Sequence, residues 1–116
     1  MADKDCIFCK IARHKIPSKI VYEDEDIIAF RDIDPKAPVH IILIPKTHIP
    51  SIKELIETDE KIIGKIHRIS QKIAEDESIA QSGFRIVANT GPDAGQAVAH
   101  LHFHLIGGRK LSWPPG

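Results

Sequence analysis

The segment His100-Leu101-His102-Phe103-His104-Leu105-Ile106-Gly107-Gly108 places three histidines at alternate positions and two glycines after them. Imidazole can ligate a metal, move a proton, or attack phosphorus directly. Side chains two apart share a face only on a strand. On a strand His100, His102 and His104 therefore stand on one side, and Leu101, Phe103 and Leu105 on the other, free to pack. On a helix His102 would point away from its neighbours and the pattern would serve nothing. A solvated strand face is the plain alternative, but Thr, Lys or Glu would serve it as well. A catalytic zinc held by histidines at i and i+2, and covalent chemistry by a neutral imidazole with a flanking imidazole as proton carrier, both stay open.

The second chemical signal is Cys6-Ile7-Phe8-Cys9, which contains both cysteines of the chain. A secreted disulfide scaffold would carry more cysteines at wider spacing. C-x-x-C reads as a metal half-site or a redox pair. A thioredoxin-like redox pair would follow a strand, and the five residues before Cys6 predict none. Two free thiols are the plain alternative.

The elements that must position these residues follow from periodicity. Ile7, Phe8 and Ile11 predict a short helix over 7–13, and IPSK a turn. KIVYE (19–23) and DIIAFRDI (26–33), separated by acidic residues, predict a hairpin. VHIILIP (39–45) is almost wholly apolar, as in a buried central strand. Ser51 and Glu54 make an S-x-x-E pattern, so one or two helical turns follow. Ile62, Ile66, Ile69 and Ile73 give one apolar face to a long helix over 58–76. Gly83 breaks it. FRIVAN (84–89) and HLHFHLI (100–106) are strands, joined by the loop GPDAGQ. The order β-β-β-α-β-β predicts an α+β fold, a mainly antiparallel sheet with the helix on one face.

The 116 residues suit one domain, 1–116, and the net charge is zero. That balance argues against a phosphate-backbone binder, so no nucleic-acid partner is expected. No segment has the roughly 18 to 20 apolar residues of a membrane helix, and MADKDC does not resemble a signal peptide. A cytoplasmic location and no membrane partner are the expectations.

HLHFHLIGG resembles the signature of the histidine triad (HIT) superfamily. The resemblance runs nearly end to end: IFCKIARHKIPSKIVYEDEDIIAFRDIDPKAPVHIILIPKTHI is similar to the family's N-terminal half, and GRKLSWPPG to the C-terminus of its HINT branch. It implies a small homodimer that binds a nucleoside monophosphate unit and hydrolyses purine nucleoside 5′-phosphoramidates, such as AMP joined to an amine or lysine. His102 would attack the α-phosphorus and become nucleotidylated, and water would release the nucleotide. His104 would contact the phosphate and move protons. His40 matches a fourth histidine behind the triad, and the carbonyl of His100 would fix the His102 tautomer. Asp32 matches the ribose ligand. Phe8, Phe30, Ile33 and Ile42 match the walls of the base slot, although core packing alone would account for Phe30 and Ile42. Asn89 and Gly95, Gln96, Ala97 and Val98 match the phosphate loop. Trp113, in the tail 109–116, would reach toward the partner's active site. The alternatives are a dinucleoside polyphosphate hydrolase and a nucleotide-binding adaptor with weak chemistry.

Two departures matter. Where HINT members commonly have serine, this chain has Ala97, which removes a hydrogen bond worth roughly 1.5 to 3 kcal/mol toward a charged partner. The expectation is slower transfer, or a water or Gln96 in its place. CIFC is the other departure. Related HIT branches hold a structural zinc with such a pair and two histidines, which match His48 and His100 here. The implied cofactor is a zinc on Cys6, Cys9, His48 and His100. His14 and His67 are expected on the surface.

Overall fold

The computed structural model describes residues 5–116. A six-residue helix α1, Ile7–Ala12, opens the fold. Cys6 caps it: the Cys6 sulfur accepts from the Cys9 backbone N–H at 3.3 Å. Strands β1 (Ile20–Glu23), β2 (Ile27–Arg31) and β3 (Val39–Pro45) follow. Then come two 3₁₀ turns, Ile52–Glu54 and Glu57–Asp59, the helix α2 (Glu60–Asp76), and strands β4 (Phe84–Val87) and β5 (Phe103–Gly107). The five strands form one antiparallel sheet in the order β1-β2-β3-β5-β4. No helix among the described residues is long and apolar enough to cross a membrane.

Every residue of β3 is buried. It is the middle strand, flanked by β2 and β5 and covered on both faces. On one face Ile66 and Ile73 of α2 pack with Ile41, Leu43, Leu101, Phe103 and Leu105, and Ile62 and Ile69 border the same cluster. On the other, Phe8, Cys9, Ile11 and Ala12 of α1 pack on Ile28, Phe30, Ile42 and Ile44. Helix α1 covers only part of that second face, and the histidines lie on that side beside it.

The last strand differs from its expected span. It begins at Phe103, and His100 lies in a bend before it. The physical reason is a change of partner. The Leu101 N–H bonds the Ile49 carbonyl at 2.6 Å, while the ladder to β4 ends at Val87 opposite His104. Alternation survives without the ladder: Leu101 and Phe103 remain on the α2 side, and His100 and His102 contact Phe8 on the other. Strand β4 correspondingly stops at Val87 rather than Asn89. The S-x-x-E pattern caps a single 3₁₀ turn. Ser51 accepts from the Lys53 N–H at 3.1 Å and donates to the Glu54 carboxylate, but extended backbone at Leu55 and Ile56 ends the turn.

The two glycines after the triad are required for different reasons. A Cβ at Gly107 would sit 2.8 Å from Ile79 Cδ1, where the sheet meets the turn after α2. Gly108 has φ +92°, and a Cβ there would lie 2.9 Å from Pro38 Cβ. Gly108 thus lets the end of β5 press on the loop before β3. Gly108→Ala is expected to destabilise by about 1 to 3 kcal/mol, whereas Gly64→Ala, helical with nothing within 4 Å of its Cβ, should stabilise by about 0.5 to 1 kcal/mol. Urea denaturation of the two variants giving shifts of the same sign would refute this account.

Candidate active site and metal centre

His102 is buried, with one edge of its ring against Phe8 at a centroid distance of 5.0 Å. Its Nδ1–H donates to the carbonyl of His100 at 2.7 Å. A carbonyl only accepts, so the proton is on Nδ1 and the lone pair on Nε2. This is the arrangement of an imidazole prepared to attack through Nε2.

His104 stands beside it, ring centroids 5.1 Å apart, and its Nδ1 faces His40 Nε2 at 2.9 Å. The register explains the meeting: Ile42 pairs with His104 and His40 with Ile106, so His40 is the diagonal neighbour of His104 on the same face. The Lys36 backbone N–H donates to His40 Nδ1 at 3.0 Å. His40 Nε2 also lies 3.3 Å from Asp32 Oδ2. Burial pushes His40 below the usual imidazole range despite the nearby Asp32 carboxylate. Burial lowers His104 as well, reinforced by His102 and His40. Both rings are therefore neutral at pH 7, and each carries a single ring proton whose location matters.

Asp32 follows β2 directly. Its backbone N–H bonds the His40 carbonyl at 3.0 Å, and its Oδ1 accepts from the Asp34 N–H at 2.8 Å. Asp32, His40 and the fully exposed Ile33 line a cleft of about 630 Å³ that also reaches Ser18, Lys19 and Arg31. A neighbouring hollow of about 310 Å³ shares Asp32 and His40 and adds Val87, Asn89 and His104. Phe8, Phe30 and Ile42 are buried together in the α1 cluster, the two phenylalanines edge to face at 5.7 Å. Ile33 does not join them.

The loop before the triad is held by Gln96. Its Oε1 accepts from the Gly91 N–H at 3.0 Å, and its Nε2 donates to the carbonyls of Pro50 and Val98 at 2.8 and 3.0 Å. The amide is fully committed to loop backbone, so it does not stand in for the hydroxyl missing at Ala97. Gly95 turns this loop with φ +78°. Ala97 and Val98 line a hollow of about 320 Å³ with Cys6 and His48, on the metal-centre side. Trp113 is exposed, beyond Ser112, whose carbonyl accepts from Arg85 at 2.9 Å. His14 pairs with Glu23 at 2.7 Å on the surface, and His67 is exposed on α2.

Cys6, Cys9, His48 and His100 converge from four places: the cap of α1, its second half-turn, the segment after β3, and the bend before β5. Their ligand atoms all lie within 4.8 Å of one another. His48 Nδ1 and His100 Nδ1 are 3.2 Å apart, Cys9 Sγ is 3.2 Å from His48 Nδ1, and Cys6 Sγ is 3.3 Å from His100 Nδ1. A tetrahedron with metal–nitrogen and metal–sulfur bonds of about 2.05 and 2.3 Å has nitrogen–nitrogen and nitrogen–sulfur edges of roughly 3.4 and 3.6 Å, close to these separations. His100 Nε2–H donates to the Pro45 carbonyl at 2.8 Å, which leaves the Nδ1 lone pair aimed into the cluster. Burial holds His100 down to about 4, so it is neutral and able to ligate. The donor set fits a closed structural zinc.

Two contributors carry no sequence signal because they are backbone groups: the Lys36 N–H and the Pro45 carbonyl. Arg109 is a side chain that pattern reading passed over. Its Nε and Nη2 donate to the Lys36 carbonyl at 3.1 and 3.0 Å, which anchors the loop that serves His40.

Comparison with known proteins identifies the family. The family model described as the HIT domain matches residues 13–111. The chain is 46% identical over 108 residues to a purine nucleoside phosphoramidase of Escherichia coli, covering 93% of this chain and 91% of that one. It is 49% identical over 113 residues to an uncharacterized HIT-like protein of Synechococcus elongatus, covering 97% and 98%. The crystal structure of a HIT family hydrolase from Legionella pneumophila Philadelphia 1 superposes with a TM-score of 0.95 at 45% identity, over 97% of this chain and all of that one. A histidine triad whose ring hydrogen bonds are assigned one by one, on a sheet shared with such relatives, leaves one family: the chain belongs to the HIT family and is a hydrolase of it.

Proposed function

We propose that this hydrolase splits purine nucleoside 5′-phosphoramidates, AMP joined to an amine or a lysine, through a nucleotidyl-histidine. The observation that carries the reading is the 2.7 Å hydrogen bond from His102 Nδ1 to the His100 carbonyl, because it frees Nε2 as nucleophile. The Escherichia coli relative, a purine nucleoside phosphoramidase, supports the substrate class. His102 Nε2 forms a bond to phosphorus as the phosphorus–nitrogen bond to the amine breaks. His104, with its proton on Nε2, delivers that proton to the departing amine. Water then attacks the nucleotidyl-histidine, His104 takes a proton back, and the nucleoside monophosphate leaves. Dividing one displacement into two easier steps is the gain of covalent catalysis. Asp32 accepts from the ribose hydroxyls, and the cleft at Ile33 receives the base. Asn89 and the 95–98 loop border the phosphate.

His102→Ala should abolish turnover while sparing AMP binding. Quenched reactions of the unmutated protein with a slowly hydrolysed substrate should show an acid-labile adenylyl group on His102 by mass spectrometry. A label on another residue, or an alanine variant within about tenfold of normal when nucleophilic and acid–base contributions are each worth at least that much, would refute the assignment.

Zinc fits Cys6, Cys9, His48 and His100, and with four protein ligands its contribution would be structural: it would neutralise the thiolates and tie α1 to the bend before His102. A reduced C-x-x-C pair of this kind accords with a cytoplasmic location. Metal analysis of gently purified protein should find about one zinc per chain. Cys6→Ser with Cys9→Ser should lower Tm by roughly 4 °C or more. Finding no metal, with both thiols freely titratable, would count against zinc.

A homodimer is the proposed assembly. Strand β4 is a sheet edge with Phe84 partly exposed, and an uncovered edge invites a partner. Arg85 on that strand holds the tail at Ser112, so a partner seated there would meet Trp113. Sedimentation at micromolar concentration should give a dimer, and deletion of residues 111–116 should change leaving-group selectivity. A monomer, or unchanged selectivity, would refute the corresponding half.

A further inference from the structure

His40 has one ring hydrogen, hydrogen-bonded to one acceptor, with a carboxylate oxygen 3.3 Å away as a second candidate. Its Nδ1 takes the Lys36 backbone N–H at 3.0 Å. A backbone N–H never accepts, so the hydrogen of the neutral ring is on Nε2. That Nε2–H faces His104 Nδ1 at 2.9 Å and Asp32 Oδ2 at 3.3 Å. The same three ligand atoms are close enough to hold a metal ion, but coordination through His40 Nε2 would move the ring hydrogen to Nδ1. There it would oppose the Lys36 N–H, donor against donor. The cluster is therefore a hydrogen-bond relay.

The two acceptors have opposite consequences for His104. When His40 Nε2–H donates to His104 Nδ1, the proton of His104 must be on Nε2, where it can be given to the departing amine. When the hydrogen turns to Asp32, His104 Nδ1 is free to carry the proton itself, and Nε2 presents a lone pair instead of a donor. Asp32 Oδ1 is already engaged by the Asp34 N–H at 2.8 Å, so the carboxylate competes through Oδ2.

We propose that ribose binding at Asp32 sets the tautomer of His104. The ribose hydroxyls donate to the carboxylate and occupy the lone pairs that attract His40 Nε2–H. The hydrogen is released to His104 Nδ1, and His104 is fixed with its proton on Nε2. His40 is the positioning residue of this relay. No atom is gained or lost; two hydrogen bonds change partners and one imidazole changes tautomer. The ribose hydroxyls thus contribute to the chemical step as well as to affinity. This rests on the proposed phosphoramidase reading for its kinetic consequence, though not for its tautomeric one.

The kinetic test compares an AMP-amine substrate with its 2′-deoxy and 3′-deoxy analogues. The deoxy substrates should lose about tenfold or more in kcat, a part of the 10² to 10⁴ that a general acid supplies, in addition to any rise in KM. In His40→Phe the ribo and deoxy kcat values should converge to within about twofold while the KM difference persists. A deoxy penalty confined to KM in the unmutated protein, or a kcat penalty undiminished in His40→Phe, overturns the proposal. The second measurement needs neither turnover nor a variant. Ring ¹⁵N NMR of the unmutated protein saturated with adenosine should show His104 shifted toward the Nε2–H tautomer, and saturation with 2′,3′-dideoxyadenosine should not produce the shift. Identical His104 nitrogen shifts in the two complexes overturn the relay. Adenosine carries no phosphate, so this result stands even if phosphoramidates are not the substrate.

Discussion

The site depends on His100 being buried with its ring nitrogens and its carbonyl directed. It has no exposed surface. A buried polar group without a partner costs about 1 to 3 kcal/mol, and here both ring nitrogens and the carbonyl have one. Nε2–H goes to Pro45 at the end of β3, Nδ1 faces the thiols and His48, and the carbonyl takes the His102 Nδ1–H. Three structural units, the central strand, the Cys6, Cys9 and His48 cluster and the ring of His102, meet at one residue. Moving the ring would misdirect the Nδ1 lone pair, and moving the backbone would release the His102 tautomer. The bend before β5 follows from this. A residue bonded in the ladder could not also turn its carbonyl onto the ring two positions ahead.

Burial has a second consequence that suits the proposed chemistry. It lowers the proton affinity of His40, His100 and His104 alike. A cationic imidazole has two N–H donors and no lone pair, so it can neither ligate nor take part in a directional relay. Desolvation keeps these three rings at one donor and one acceptor, and for His40 and His100 backbone groups decide which nitrogen has which role. The Lys36 N–H decides for His40, the Pro45 carbonyl for His100, and the His100 carbonyl for His102. The histidine face works as a set of oriented hydrogen bonds rather than as a patch of positive charge.

This division explains what the sequence could and could not disclose. The common face of His100, His102 and His104 was legible because alternation is geometric and survives even where the ladder does not. The isoleucine period of α2, the buried run of β3 and the α+β order were legible for the same reason: apolar periodicity and burial are linked directly. The start of β5 was not, because it depends on the Leu101 N–H choosing Ile49 over β4, a tertiary competition with no local pattern. Nor was the commitment of the Gln96 amide to three backbone groups, since glutamine in a loop reads the same whether it faces a ligand or its own chain. The tautomers of His40 and His100 were hidden, because main-chain atoms set them; that of His102 followed only from the family resemblance.

Ala97 is best understood against the same background. A serine hydroxyl there would be a donor that rotates, and Gln96 cannot replace it because its amide already closes the loop. The chain is left with donors that are fixed in direction. In the proposed reaction His104 is the donor to the departing group, and its competence would rest on where one hydrogen of His40 points. In a site with fewer donors, each remaining donor must be correctly oriented more of the time. In the proposed reaction the absence of the hydroxyl would increase the weight on the Lys36–His40–His104 line, and on Arg109 and Gly108, which press the loop bearing Lys36 against the end of β5.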